Sequence, residues 1–304
     1  MINLNSIYSY PQLNLSSNKH KEYESNCTIN YNNPIKNNNV LIGIEIEVEN
    51  IQERPLLHYY WYEKEDGSLR NYGVEYTSIP LTGNQIPYAL SYLKASLEED
   101  NIPSFSQRTS IHVHLNVRDY SWERVKSLLT LYAIFEKHFF NLAGTKREEN
   151  IFCVPLYKCI QLSAINNLEN NIKEWSKYSA INLGTISGTD ICKCFGTIEF
   201  RHLYGTLDIS IILFWINSII KLHEASNNYN FDTLKETILT LNTTSEYIQL
   251  YKNIFEETAL INLVSKHDFE SCITTTKIAL FKDIINSKYK IKPDSNLRKK
   301  LSQL

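Results

Sequence analysis

The sequence predicts an α+β fold in which helices back a mixed or antiparallel sheet. Three strand-like segments support this class: "VLIGIEIEVEN" at 40–50, "RTSIHVHLNV" at 108–117 and "GTIEFRHL" at 196–203. Each alternates apolar and polar residues, which is typical of a strand with one buried face. Segments with helical spacing of apolar residues follow the second and the third of them, at 121–144 and 207–222. The predicted order is therefore strand, loop, strand, helix, strand, helix.

The two helical segments have recognisable features. The first begins with Ser121, a favourable N-cap, and ends with Gly144. The second contains Ile209–Leu222, the most apolar stretch of the chain. Fourteen residues with Asn217 and Ser218 among them are too few to span a bilayer, so we expect a buried helix.

Three regions are predicted along the chain. Residues 1–38 are rich in Asn and Ser and show no clear period, which indicates an irregular lead-in. Residues 39–226 hold the strand-rich core. Residues 227–304 form a helical extension, in which "FDTLKETILTLNTT", "SEYIQLYKNIFEETALINLVSK" and "TTKIALFKDIINSKY" repeat apolar residues at helical spacing.

Charge and composition exclude several partners. The 304 residues include 31 basic and 33 acidic ones, for a net charge of −2, so we expect neither nucleic acid nor a membrane surface as a partner. The N-terminus lacks a cationic segment followed by an apolar run, so no signal peptide is predicted. The six cysteines are then expected to be reduced thiols in a cytosol-like compartment.

A C-x-C pair, Cys192 and Cys194, invites a zinc interpretation. A tetrahedral zinc site needs four ligands, and Cys153 and Cys159 could supply the other two only by accident of folding. We therefore interpret the pair as ordinary thiols beside a strand.

The first strand carries a row of like charges. Ile44, Ile46 and their neighbours take one face, and Glu45, Glu47 and Glu49 take the other. Carboxylates about 7 Å apart repel by about 0.6 kcal/mol in water and by about 2.4 kcal/mol at an effective dielectric of 20. A solvated face tolerates this repulsion, but a half-buried face needs a cation between the carboxylates.

The other strands also carry polar faces. His112 and His114 share one face of the second strand, and Glu199 and Arg201 share one face of the third, with His202 on the apolar side. A further segment at 64–83 contains an Asp66-Gly67 turn and then an alternating stretch that places Glu75 and Thr77 on one side. If these strands form one sheet, their polar faces meet in one basin. Oxygen-rich ligands with an imidazole suit Mg²⁺ or Mn²⁺ better than Zn²⁺.

Each element also has an ordinary explanation. A Glu-alternating strand is usually a solvated outer face, H-x-H often marks an edge strand, and E-x-R is most often a surface ion pair worth about 0–1 kcal/mol. Asp-Gly-Ser alone is a turn. The four together, in this order, favour a site.

The order "GIEIEVE", "DGSL…GVE…SIP", "IHVHLN", "KYSAINL…TIEFRHLYGTLD" resembles the carboxylate–amine ligases of the glutamine synthetase and glutamate–cysteine ligase fold. The closest resemblance is to the amidoligase branch, which includes bacteriophage members, and it covers about residues 40–225. It implies a curved, mainly antiparallel sheet with helices on the convex face and a glutamine synthetase-like catalytic core. The concave face would bind ATP and Mg²⁺ or Mn²⁺.

The resemblance also implies roles for individual residues. The expected metal ligands are the carboxylates and one imidazole of the polar faces: Glu45, Glu47, Glu75, His112 and Glu199. His114 is expected on the ATP side, Arg201 at the transferring phosphate and Lys177 near phosphate or substrate. Asp66 and Ser68 are expected to help bind the amine or the substrate, and Glu75 and Asp66 count with Arg201 among the catalytic candidates. Glu49 has no counterpart and is expected to be structural.

The implied activity is ATP-dependent amide formation through an acyl phosphate, in the cytoplasm of a bacterial or phage-infected cell. No G-x-x-x-x-G-K-[ST] motif is present, which excludes a P-loop enzyme. The acid and amine could be small molecules or peptides, and the oligomeric state is open. Three alternatives stand beside this one: a metal-dependent phosphodiesterase, a non-catalytic binding or assembly protein such as a viral component, and, ranked last, a glycosidase.

Overall fold

The computed structural model describes residues 39–144, 146–187, 195–255 and 270–281. Within them, six strands form one sheet in the order β2-β3-β1-β4-β6-β5, and every neighbouring pair is antiparallel. The strands are β1 (Ile42–Val48), β2 (Trp61–Lys64), β3 (Val74–Ser78), β4 (Ser110–Asn116), β5 (Ile181–Asn182) and β6 (Thr197–Tyr204). The α+β class and the antiparallel sheet are thereby confirmed, while the glutamine synthetase-like core stays a prediction.

Among the described residues, one longer helix follows β3, one follows β4 and the others follow β6. They are α1 (Gln85–Asp100), α2 (Trp122–Ala143), α3 (Ile209–Asn228), α4 (Phe231–Thr240), α5 (Thr244–Phe255) and α6 (residues 270–281). Shorter helical turns lie between α2 and β6, at Arg147–Glu149, Leu156–Lys158, Ile160–Asn167, Leu168–Asn171, Ile172–Glu174 and Gly184–Ser187.

The apolar faces of the central strands build the core. Ile42, Ile44, Ile46 and Val48 of β1 are fully buried, as predicted from their alternation. They join one hydrophobic cluster with residues of α1, α2 and α3, and α3 packs against both α1 and α2. The helices therefore cover the apolar face and leave the opposite face of the sheet for polar side chains.

The predicted ends of α2 are confirmed. The Ser121 side chain accepts a hydrogen bond from the Arg124 backbone N–H, and Gly144 adopts φ 105° at the C-terminal end, a conformation that costs glycine little. Helix α3 begins after Asp208, whose carboxylate accepts from the N–H groups of Ser210 and Ile211.

Helix α3 is longer than the predicted segment, because it continues to Asn228. At 20 residues it is the one described helix that is long and apolar enough to cross a membrane, but 56% of its most apolar window is buried inside the molecule. A core helix commonly passes the same test, and the packing of Trp215 and Ile216 at the centre of the cluster fits the predicted buried helix.

Helix α1 lies between β3 and β4, where the sequence order predicts a loop. Pro87 falls in its first turn, where a missing N–H costs little, and Ile86, Leu90, Leu93 and Leu97 are buried along one side. These residues repeat at helical spacing, so the signal for α1 was present in the sequence.

The C-terminal helices share the core of the rest of the chain. Phe231, Tyr247, Tyr251 and Phe255 belong to the same buried cluster as α2 and the sheet. The helical character of the extension is confirmed at α4, α5 and α6, whereas the domain boundaries at 38 and 226 stay predictions. The lead-in 1–38, Lys193 with its flanking Cys192 and Cys194, and the end of the chain after 281 lie outside the described residues.

A β-bulge interrupts the pairing of β4 with β6. Ile111 faces Leu203, whereas Val113 faces Phe200, so the two residues Arg201 and His202 oppose the single residue His112. A bulge of this kind re-aims the side chains that follow it. As a result His202 and Leu203 are both fully buried, while Arg201 remains on the polar face beside Glu199.

Candidate active site

Strand pairing brings the predicted polar residues together. Across β1, Glu45 lies opposite Thr77 on one side and His112 on the other, and Glu47 lies opposite Glu75. Across β4, His114 lies opposite Glu199. The carboxylates and imidazoles predicted from separate segments therefore occupy one face of the four central strands.

His112 occupies the centre of this face. Its Nδ1 lies 3.0 Å from a Glu45 oxygen and 3.3 Å from a Glu199 oxygen, and its Nε2 lies 3.7 Å from a Glu47 oxygen and 2.9 Å from the Ser110 hydroxyl. Glu47 is held in turn by Ser110, whose backbone N–H and hydroxyl both donate to one carboxylate oxygen at 2.7 Å. One imidazole thus connects three carboxylates.

The two ring nitrogens of His114 face different neighbours. Its Nδ1 lies 3.1 Å from the Thr197 hydroxyl, and its Nε2 lies 3.3 Å from a Glu45 oxygen without an aligned hydrogen bond. Burial opposes the charged form of this ring, but the nearby Glu45 and Glu199 carboxylates together raise the pKa of His114. Burial likewise opposes ionisation of Glu45, yet His114 and His112 hold its pKa well below the ordinary value.

Glu199 is bound by two neighbours on β5 and β6. The Asn182 amide donates to one carboxylate oxygen at 2.6 Å, and the Arg201 guanidinium donates to the other. Burial works against the ionised form, but Arg201 and the two histidines lower the pKa of Glu199. The same carboxylate raises the pKa of Arg201 against the effect of burial, so this pair stays charged.

A second acidic group lies toward β3. Glu47, Asp66 and Glu75 each offer an oxygen within 4.8 Å of the others. Burial and the Glu45 charge raise the pKa of Glu75, although Lys64 donates to this carboxylate at 2.9 Å. Asp66 closes the turn that carries it, because its side chain accepts from the Ser68 backbone N–H at 2.7 Å.

The arrangement fits divalent cations. One triad is Glu45, His114 and Glu199, and another is Glu47, Asp66 and Glu75, each with ligand atoms within 4.8 Å. Buried carboxylates in such numbers are costly unless positive charge compensates them, and the buried Nε2 of His114 lacks a hydrogen-bond partner. Carboxylate oxygens with one imidazole are ligands that suit Mg²⁺ or Mn²⁺.

The two triads do not consist of the same residues as the predicted set of metal ligands. His114 and Asp66, predicted for ATP and for substrate, belong to the triads, whereas His112 contacts carboxylates of both. Ser68 lies in the Asp66 turn. Lys177 is exposed, and its ammonium lies 4.8 Å from the centre of the Tyr178 ring instead of contacting the carboxylates. Its predicted role therefore has no contact in its support.

Glu49 lies apart from the triads. It is buried and accepts a hydrogen bond from the Arg70 backbone N–H at 2.9 Å, which agrees with the structural role expected for it. Cys153 and Cys159 are free thiols whose sulfurs donate to the backbone carbonyls of Arg147 and Pro155, as expected for ordinary thiols.

Sequence reasoning missed several residues that position the site. Ser110 holds Glu47, Asn182 holds Glu199, and Lys64 pairs with Glu75. Lys64 and Ser110 lie on the polar-face positions of their strands, so alternation could have identified them. Asn182 belongs to a two-residue strand, which is too short to give a periodic signal.

Arg147 is a further missed residue. It is buried, and its guanidinium donates to the backbone carbonyls of His202 at 3.1 Å, Arg201 at 3.3 Å and Gln107 at 3.3 Å. The first two carbonyls belong to the β6 bulge. Burial lowers the pKa of Arg147. This side chain therefore fixes the backbone from which Arg201 extends.

Comparison with known families identifies the family of the chain. A family model described as "Putative amidoligase enzyme" matches residues 16–223, which is more than half of the chain and includes every residue of the two triads. The chain belongs to this amidoligase family. No curated protein sequence matches it.

Proposed function

We propose that this protein is an ATP-dependent carboxylate–amine ligase that forms an amide through an acyl phosphate. The observation that carries the proposal is the convergence of Glu45, Glu47, Glu75, Glu199 and two histidines beside Arg201, in a chain of the amidoligase family. Resident Mg²⁺ or Mn²⁺, held by Glu45, His114 and Glu199 and by Glu47, Asp66 and Glu75, would neutralise phosphate charge and orient the nucleotide.

The chemistry explains why such residues are needed. A carboxylate is a poor electrophile, so transfer of the γ-phosphoryl group of ATP to it creates a mixed anhydride and releases ADP. The amine nitrogen then attacks the acyl carbon, the C–O bond to phosphate breaks, and inorganic phosphate leaves. The amine loses a proton in this step, which an acidic residue of the basin accepts.

The surroundings of Arg201 support a role in the first of these steps. One of its nitrogens donates to Glu199 and another lies 3.4 Å from the Phe152 carbonyl, which holds the guanidinium in the basin with further donors available. A fixed guanidinium stabilises the charge that spreads over a transferring phosphoryl group. His112 would keep the surrounding carboxylates in place through its contacts to Glu45, Glu47 and Glu199.

The proposal is tested by mass spectrometry of candidate acids and amines incubated with ATP, Mg²⁺ and the purified protein. We expect a product whose mass is the sum of acid and amine less one water, formed by the wild type and not by Glu45→Gln. Equal yields from both proteins would refute the assignment. ATP hydrolysis that needs neither acid nor amine would instead favour a phosphodiesterase or phosphatase.

Arg201→Lys provides a second test. Lysine keeps the positive charge but loses the planar fork, so turnover is expected to fall strongly while the circular dichroism spectrum stays unchanged. Unchanged turnover would remove Arg201 from the reaction. Use of ATP agrees with the cytoplasmic location expected from the sequence.

A further inference from the structure

Two arginines converge at the rim of the basin. A guanidinium nitrogen of Arg70 lies 3.4 Å from the Ser68 carbonyl oxygen, and one of Arg108 lies 3.3 Å from the same oxygen. Both side chains are exposed. Because one oxygen accepts from both, the two guanidinium groups are close neighbours in spite of their like charge.

Neither arginine is neutralised by a carboxylate of the described residues. Arg70 and Arg108 form no ion pair with any described carboxylate, and the hydrogen bonds of both guanidinium groups go to backbone carbonyls through a single nitrogen each. The remaining N–H groups of each fork are free of partners among the described residues. Two adjacent cations with unused donors form a receptor for an anion, since a carboxylate matches the guanidinium fork.

Both arginines extend from turns that hydrogen bonds hold in place. Arg70 also donates to the carbonyls of Gly67 and Leu69 at 3.1 and 2.9 Å, so its head is fixed on the 66–69 turn. Arg108 extends from a turn in which the Thr109 hydroxyl bonds both the N–H and the carbonyl of Ser106. The Arg70 side chain therefore has little conformational entropy left for an anion to remove, which favours binding.

The pair also lies beside the proposed chemistry. Asp66, at the start of the Arg70 turn, belongs to the triad with Glu47 and Glu75, and Arg108 is two residues from Ser110, which holds Glu47. The arginines do not pair with these neighbouring carboxylates, so their charge remains available at the edge of the basin.

We propose that Arg70 and Arg108 form an anion subsite that binds a second carboxylate of the acid substrate. This inference rests on the proposed ligase function and names its substrate class: a dicarboxylic acid, with one carboxylate in the basin for activation and the other on the arginine pair. An acid with a single carboxylate leaves the pair unsatisfied and binds more weakly.

The test is a binding measurement on the full chain in Mg²⁺ buffer without ATP. Succinate, glutarate and adipate are titrated by calorimetry, each against the monocarboxylate of equal length, namely butyrate, valerate and hexanoate. We expect at least one diacid to bind about tenfold more tightly than its partner, the usual effect of a charged hydrogen-bonded contact. Arg108→Gln removes this preference, and Arg54→Gln, which alters an exposed arginine paired with Glu63, keeps it.

Three results would each overturn the subsite. They are equal affinities for diacids and monoacids, no binding of any of these acids, and loss of the diacid preference in Arg54→Gln. Because Arg70 also holds its turn, Arg108→Gln is the primary variant, and Arg108→Lys should restore part of the preference. Ligation of monoacids as efficient as that of diacids would overturn the subsite and leave the ligase standing. Arginine-dependent binding of a diacid without ligation would support the subsite and refute the ligase.

Discussion

Acidification should destabilise the fold through His138. This side chain is fully buried on α2, its Nδ1 has no hydrogen-bond partner, and its Nε2 lies 3.3 Å from the Tyr251 hydroxyl. Its ring packs against Tyr251 and Phe255 of α5 at centroid distances of 5.0 and 5.4 Å. Burial lowers the pKa of His138 from 6.5 to about 4, because the apolar surroundings disfavour the imidazolium.

The sign of the effect follows from proton binding. Between pH 6.5 and 4 the unfolded chain binds a proton at this position and the folded chain does not, so stability is complete above pH 6.5 and falls as the pH drops through this window. At pH 5 the two pKa values give a loss of about 2 kcal/mol from this residue, and the full difference approaches about 3 kcal/mol below pH 4.

The measurement is urea unfolding of wild type and His138→Gln at pH 7.5 and 5.0. Glutamine cannot titrate, so the variant should lose about 2 kcal/mol less than the wild type on acidification. Tyr251→Phe removes only the hydroxyl partner and should retain the wild-type loss. An identical pH dependence in wild type and His138→Gln would refute the reasoning.

The remaining predictions concern the frame of the site. Arg147→Met leaves three carbonyls without their buried donor, so urea titration should show a free energy of unfolding that is lower by about 2–5 kcal/mol. The fraction that folds should also turn over more slowly. An unfolding midpoint equal to that of the wild type would contradict this role of Arg147. Gly205→Ala places a Cβ 2.4 Å from the Thr109 hydroxyl and 2.6 Å from Phe105. This overpacking should lower the free energy of unfolding by about 1–3 kcal/mol in the same titration. An unchanged value would show that the 105–109 turn can move to accommodate the methyl group. Mn²⁺ at a hundred times its dissociation constant for the wild type should stabilise the wild type by about 2.7 kcal/mol. The same Mn²⁺ concentration should stabilise Glu199→Gln much less. Equal stabilisation of both proteins would exclude Glu199 as a ligand.

Alternation along single strands was enough to predict much of the site. It placed Glu45, Glu47, His112 and Glu199 on polar faces, and the sheet places those faces together. Alternation is a local property with a period of two residues, so it assigns a side chain to a face without knowing which strands are neighbours. The opposition of His114 and Glu199 depends on strand order, which no single segment contains.

Other parts were beyond this kind of reasoning. The bulge at Arg201 and His202 and the buried Arg147 that holds it depend on contacts between residues more than fifty positions apart. The position of Lys177 came from the resemblance alone, and its side chain is exposed and contacts Tyr178. Helix α1 was not predicted, although Ile86, Leu90, Leu93 and Leu97 repeat at helical spacing.

The extra residue in β6 also restricts how the gene can vary. Removing one amino acid between Glu199 and Leu203 would restore an even ladder and keep both side chains on their present faces, but only one residue would then lie opposite His112, where Arg201 and His202 now both lie. A shorter strand would therefore lose either the guanidinium beside Glu199 or the buried imidazole that packs against Trp215. Insertions and deletions among relatives should accumulate in the connection from Gly144 to Ala180 and avoid these five positions.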